Sequence, residues 1–214
     1  MLHAPRLAAD LADRRLTEDD LNFEERVEDV RMADAALAGA KLRAVEWRRV
    51  VLERGDLADA RLEGGGFTDA RLEQTNLANL RAHRAALLRV ELRGCRLTGL
   101  QWADGAWRDV TVSGCGADLA AMRHTRLERV AFVDCRLTEA DFADARLREV
   151  SFERCDLAGV DLRGARFQRV ELRGCRLDGL RGIERLDGVS MPWTDVVEAA
   201  GVFASALGVT VSDA

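Results

Sequence analysis

Large apolar residues recur along most of this chain at every fifth position. From Met32 to Leu177 they fall on each residue number ending in 2 or 7, and twenty-eight of these thirty positions are Leu, Phe, Trp, Met or Val. Two residues before each stands a small one: twenty-eight of these thirty are Ala, Val, Cys, Gly or Thr. The misfits are Ala82 and Ala117 in the first set and Leu80 and Leu100 in the second. Everything between is mostly polar, small or charged. A period of five matches neither a helical face at about 3.6 residues nor a strand alternation at about 2. It marks a structural repeat.

A longer period is laid over the short one. The five cysteines, Cys95, Cys115, Cys135, Cys155 and Cys175, stand 20 residues apart, which is four fives. Another small-residue column at this spacing reads Val30, Val50, Ala70, Val90, Val110, Val130, Val150, Val170. If successive 20-residue coils stack at the spacing of hydrogen-bonded strands, ~4.8 Å, each column is a ladder of like side chains. The cysteines then read as core packing, for which a small thiol is suited. Their odd number, with no CxxC pair, argues against a zinc site or a closed disulfide set, and a redox thiol would need an exposed, electropositive setting. Within the core, undersized Ala82 follows oversized Leu80, and Trp102 one coil later fills the space beside it. Ala117 has no such neighbour unless Leu119 turns inward, so Ser113–Met122 is expected to be the least regular stretch.

The stretch GDLADARLEGGGFTDARLEQTNLANL, Gly55–Leu80, resembles the pentapeptide-repeat family, whose consensus is A(D/N)LXX. The resemblance implies a right-handed quadrilateral β-helix over residues 30–179, an all-β solenoid of about seven and a half coils. It also brings in the topoisomerase-interacting Qnr- and MfpA-type members. These imply a DNA-shaped rod that binds DNA gyrase or topoisomerase IV, protects it from quinolones, and dimerises through its C-terminal end.

Both flanks leave the register. Residues 1–29 hold nine acidic and four basic side chains and read as a cap on the first open coil or as an acidic arm, with a short helix expected over Pro5–Arg15. Residues 180–214 are a capping and dimerisation segment. A helix is expected there over 194–207, with Thr194 as its cap, Asp195 and Glu198 near its positive start and Gly208 ending it. Its apolar residues Val196, Val197, Ala200, Phe203 and Leu207 are the expected dimer interface; Ala199 lies among them. This face covers the last coil alone, or the last coil and a second copy.

Charge tempers the expectation of mimicry. Net charge is −5 overall, but residues 30–179 carry 23 acidic and 26 basic side chains, so the repeat itself is +3. A duplex mimic should present carboxylates along its length, and the candidate acidic face is Asp104, Asp141, Asp144 and Asp161. One outward column, Arg49, Asp69, Arg89, Asp109, Arg129, Glu149, Arg169, alternates in sign and predicts an ion-pair ladder. Another, Asp104, His124 and Asp144 after Arg84, is a further charge ladder or, as the lesser reading, a metal site. No nucleotide-binding glycine loop, nucleophile elbow or HExxH is present. The expectation is therefore no enzyme, no cofactor and no metal. Direct nucleic-acid binding is disfavoured because the arginines are interleaved with acids and no aromatic platform accompanies them. No apolar run approaches the roughly 18 residues of a membrane span, and a cytoplasmic protein is expected. The alternative to a topoisomerase partner is a scaffold for some other protein.

Overall fold

A computed structural model describes residues 2–15, 21 and 26–212. The strands in chain order are β1 (Ala12–Asp13), β2 (Arg26–Ala33), β3 (Lys41–Arg43), β4 (Glu46–Glu53), β5 (Arg61–Glu63), β6 (Gly66–Glu73) and β7 (Arg81–His83). They continue with β8 (Ala86–Arg93), β9 (Gln101–Ala103), β10 (Ala106–Ser113), β11 (Arg126–Val133), β12 (Arg146–Glu153), β13 (Arg166–Arg173) and β14 (Val189–Ser190). Every pairing is parallel, and from β2 to β13 each residue's partner is the one 20 positions on, as in Val110↔Val130↔Val150. One sheet runs β1-β2-β4-β6-β8-β10-β11-β12-β13-β14 and wraps two sides; a second runs β3-β5-β7-β9. The fourth side is held by single bridges such as Asp56↔Asn76↔Arg96. The result is a four-sided parallel β-solenoid of about eight turns.

The backbone shows why five residues make one side. Every residue whose number ends in 4 or 9, from Asp29 to Gly179, has φ between 50° and 74°. One left-handed residue per pentad turns the corner, and eighteen of these positions are Gly, Asp or Asn, the residues that enter that region at least cost. The i and i−2 side chains then point inward on each side. Leu119 occupies such a corner at φ 58° and is 58% exposed. The expectation that it turns inward beside Ala117 is therefore wrong, because a left-handed corner carries its Cβ away from the axis. Ser113–Met122 keeps the common register throughout.

Packing along the axis follows the columns. Phe132 stacks on Phe152 at 4.9 Å and meets Phe142 edge-on at 6.3 Å, while Trp47 stacks on Phe67 at 5.4 Å. Ala82 and Trp102 are register partners. The indole of Trp102 lies over Gly105, where a Cβ would come within 2.3 Å of Nε1, and it donates to the Ala85 carbonyl at 3.2 Å. Gly105 thus makes room for the tryptophan. The cysteine column is buried down to Cys155, with Cys175 half-buried at its end. Each thiol faces a carbonyl of the preceding coil, as in Cys135 Sγ to Val112 O at 3.4 Å, and Thr125 Oγ1 makes the same bond to Trp102 O at 2.7 Å. The neighbouring Cys135 and Cys95 sulfurs, together with burial, push the Cys115 thiol far above its usual range.

The flanks differ from expectation. Residues 2–8 form no helix: they run as an extended arm leading to β1, which pairs with Val30 and Arg31. At the other end the single expected helix is two, α1 (Trp193–Glu198) and α2 (Ala200–Ala206). The break is at Ala199 (φ −87°, ψ 5°), which is 7% exposed and belongs to the core cluster. Its burial against the last coil takes precedence over a continuous helix, and Gly201 just beyond weakens that helix further. Thr194 is not the cap. Pro192 holds that position without a side-chain bond, and Thr194 Oγ1 donates to Asp195 at 3.1 Å.

Candidate docking faces

Because the core consumes every inward position, the chemistry of this chain lies on its corners and flat sides. The alternating column forms the expected ladder along one corner. Arg49 reaches back to Asp29 at 2.7 Å, Arg89 to Asp69 at 2.7 Å, and Arg129 to Asp109 at 2.7 and 3.0 Å. Arg169 pairs with Glu149. Each arginine clasps the acid one coil earlier through both its Nε and terminal nitrogens in the first three rungs, the geometry that makes such pairs strong.

Two rungs are covered by the arm. The Arg6 amide donates to Asp69 Oδ1 at 2.9 Å and the His3 amide to Asp109 Oδ1 at 3.3 Å. Three residues of extended chain advance ~10 Å, and the two coils between these aspartates rise ~9.6 Å, so the arm's spacing matches the ladder. Asp69 is consequently 8% and Asp109 4% exposed. The Arg129 guanidinium holds the Asp109 carboxyl below its usual range. For Asp69, burial pushes upward, but the Arg89 bond and the Arg6 amide outweigh it and the net direction is down.

The four candidate acids divide into two columns. Asp141 and Asp161 are adjacent rungs of one flat side, whereas Asp104 and Asp144 stand on the neighbouring corner, two coils apart. Asp141 is bonded by Arg123 at 2.9 Å, and Asp161, 3% exposed, by Arg163 at 2.6 Å with Arg181 at 3.7 Å. The Arg163 bond draws the Asp161 carboxyl down to about 2. Asp104 lies 3.5 Å from His83 Nε2. Among the described residues no group of three His, Cys, Asp or Glu side chains could hold a metal ion.

These depressed carboxyls fix the acid behaviour. A group whose folded value lies below its unfolded one, about 3.9 for Asp, stabilises the fold above the unfolded value and ceases to do so as pH falls through the folded value. Melting temperature is therefore expected to be nearly flat from about pH 7 to 4 and to fall between about pH 4 and 2, checked by circular dichroism melts across that range.

The apolar residues at the C-terminal end split into two sets. Ala199, Val202 and Phe203 pack on the core. Trp193 is 79%, Val197 55% and Leu207 74% exposed; Ala200 is also exposed and Val196 half-buried. Sequence reasoning missed the left-handed corners and the arm on the ladder. The first left a visible trace in the Gly, Asp and Asn residues at numbers ending in 4 or 9; the second left none.

Comparison with known proteins agrees with the geometry. The "Pentapeptide repeat region" family matches residues 115–181, and the "Pentapeptide repeats (8 copies)" family matches residues 67–99. No curated protein matches the sequence. Among solved structures, QnrB1 in its full-length form, described as a plasmid-mediated fluoroquinolone resistance protein, is 16% identical at a TM-score of 0.45, over 91% of this chain and 95% of that one. HetL, described as a pentapeptide repeat protein involved in heterocyst differentiation regulation in the cyanobacterium Nostoc, is 17% identical at a TM-score of 0.42, over 78% of this chain and 90% of that one.

Proposed function

Because this chain is a pentapeptide-repeat protein, we propose that it works without catalysis, as a rod whose flat sides dock another protein. One observation carries this reading. The outward charges lie in straight columns fixed by a 20-residue register, as in Asp29–Arg49 through Glu149–Arg169, so the surface is pre-organised over about eight turns. Such a surface binds without the cost of ordering loops.

The family resemblance makes DNA gyrase or topoisomerase IV the partner to test. The region that suits a basic DNA-binding surface is the side and corner carrying Asp104, Asp141, Asp144 and Asp161. Arginines answer two of these acids, so the contact would be local rather than a copy of a phosphate backbone along the whole rod. In a gyrase supercoiling assay with a fluoroquinolone arm, the chain should change activity or drug sensitivity, and Asp141→Asn with Asp144→Asn should weaken the effect. No inhibition, no rescue and no capture of gyrase subunits would remove the topoisomerase partner and leave the scaffold reading.

The exposed Trp193, Val197 and Leu207 support a homodimer through the C-terminal end, since a large apolar patch at one end of a rod suits an isologous contact. Val197→Glu should halve the mass seen by light scattering; Phe203 is a poorer probe because it also packs on the last coil. An unchanged mass would place the interface elsewhere. A cytoplasmic location accords with this reading.

A further inference from the structure

One side of the rod carries a stack of cations with no carboxylate partner among the described residues. Arg126, Arg146 and Arg166 are register partners on β11, β12 and β13, all three exposed. Among the described residues none has a carboxylate oxygen within the 4.0 Å of an ion pair. The nearby acids are already engaged: Glu128 by Arg129 at 2.6 Å and Arg108 at 3.0 Å, and Glu149 by Arg169. Nearer the N-terminus the same column reads Arg26, Glu46, Gly66, Ala86, Ala106, and its one cation there, Arg26, is paired with Glu46 at 3.2 Å. The other stacked cations, Lys41, Arg61 and Arg81, end at Gln101, and Lys41 has a partner of its own.

We infer that the Arg126–Arg146–Arg166 side docks an extended acidic segment of a protein partner, with a run of about four Asp or Glu residues aligned along the rod. Three guanidinium stems rooted at ~4.8 Å intervals repel one another. Carboxylates laid across them relieve that repulsion and form the charge-assisted, forked bonds for which arginine is suited. The three rungs span ~10 Å, which four residues of extended chain cover. The arginines border a shallow groove of about 430 Å³ whose floor includes Leu147 and Phe167, enough for a peptide's width. A nucleic acid fits less well. Among the described residues no exposed aromatic ring stands on this side to stack bases, since Phe167 is half-buried. Glu128 and Glu149 would lie beside the phosphates, and the chain's net charge of −5 repels a long uniform polyanion. This inference rests on the docking-rod reading and names the partner chemistry for one side.

The test is fluorescence anisotropy on the full chain with labelled decaglutamate, decaglutamine and a ten-nucleotide oligothymidylate at low salt. Decaglutamate should bind saturably. Arg126→Gln, Arg146→Gln and Arg166→Gln together should weaken it at least about tenfold, the scale of losing several charge-assisted bonds. Arg43→Gln, Arg54→Gln and Arg154→Gln, the same change in net charge at paired arginines, should leave it within about twofold, since exposed pairs elsewhere contribute little. Matching melts of both variants would show that neither has unfolded. Equal weakening in the two sets, no binding of decaglutamate, or tighter binding of the oligothymidylate would each overturn the inference. A chain that captures a protein partner yet ignores decaglutamate overturns this inference alone; one that does neither overturns the docking-rod reading too.

Discussion

Gly66→Ala is expected to destabilise the fold by at least about 4 kcal/mol, in the range reserved for mutations that break the backbone itself. Gly66 has φ 136° and sits between Glu46 and Ala86 in the large sheet. A Cβ there would lie 1.9 Å from the Ala86 carbonyl oxygen and 2.8 Å from Ala86 N and C. These are backbone atoms of the next coil, so relief requires two coils to part. An alanine held at this glycine-only φ also costs about 1–3 kcal/mol in backbone strain. Gly39 supplies the control: its φ is 74°, but a Cβ there meets nothing within 4 Å. Gly39→Ala should therefore cost only the backbone strain, about 1 kcal/mol. Urea unfolding of both variants checks the contrast, and equal midpoints would show that the 64–66 turn is not packed as described.

Phe132→Ala is expected to cost about 3–5 kcal/mol. Phe132 is 1% exposed and lies mid-rod between Trp107 at 6.3 Å and Phe152 at 4.9 Å, with Phe142 edge-on at 6.3 Å. Coils contact only their neighbours, so a void here weakens the one interface through which the two halves stabilise each other. The transition should broaden as well as shift. Phe167→Ala, at a half-buried position in the last regular coil, should cost less and leave the transition sharp, because its void opens towards an end.

The solenoid was legible because its signal is redundant. Thirty apolar positions and the cysteine column repeat one instruction, and a single misfit such as Ala82 is absorbed by Trp102 and Gly105. Leu119 was misread because apolar character was weighed without backbone conformation; the left-handed corner decides its direction. The Pro5–Arg15 stretch has helical spacing at Leu7 and Leu11, but the arm finds carboxylates on Asp69 and Asp109 for its amides, a long-range partner that local pattern does not reveal. The C-terminal helix was right in composition and wrong in continuity, since the pull of the last coil on Ala199 is a tertiary effect. The unanswered arginines were hidden by counting charge over the whole repeat. Interleaving holds for the corner column and fails for Arg126, Arg146 and Arg166, which differ only in which side of the coil they occupy.

The central claim is that a 20-residue coil stacks like positions into straight columns, from which the docking sides follow. It is tested most directly by the distance between nitroxide labels at Arg54→Cys and Arg154→Cys, measured by pulsed electron resonance on a Cys175→Ser background. Both arginines are exposed, with 53% and 54% of their side chains accessible, and both stand on one corner column. Five coils at ~4.8 Å place them about 24 Å apart, and a single narrow distribution near that value is predicted. A centre beyond about 35 Å, or a broad spread, would mean that the columns do not align and would contradict the account.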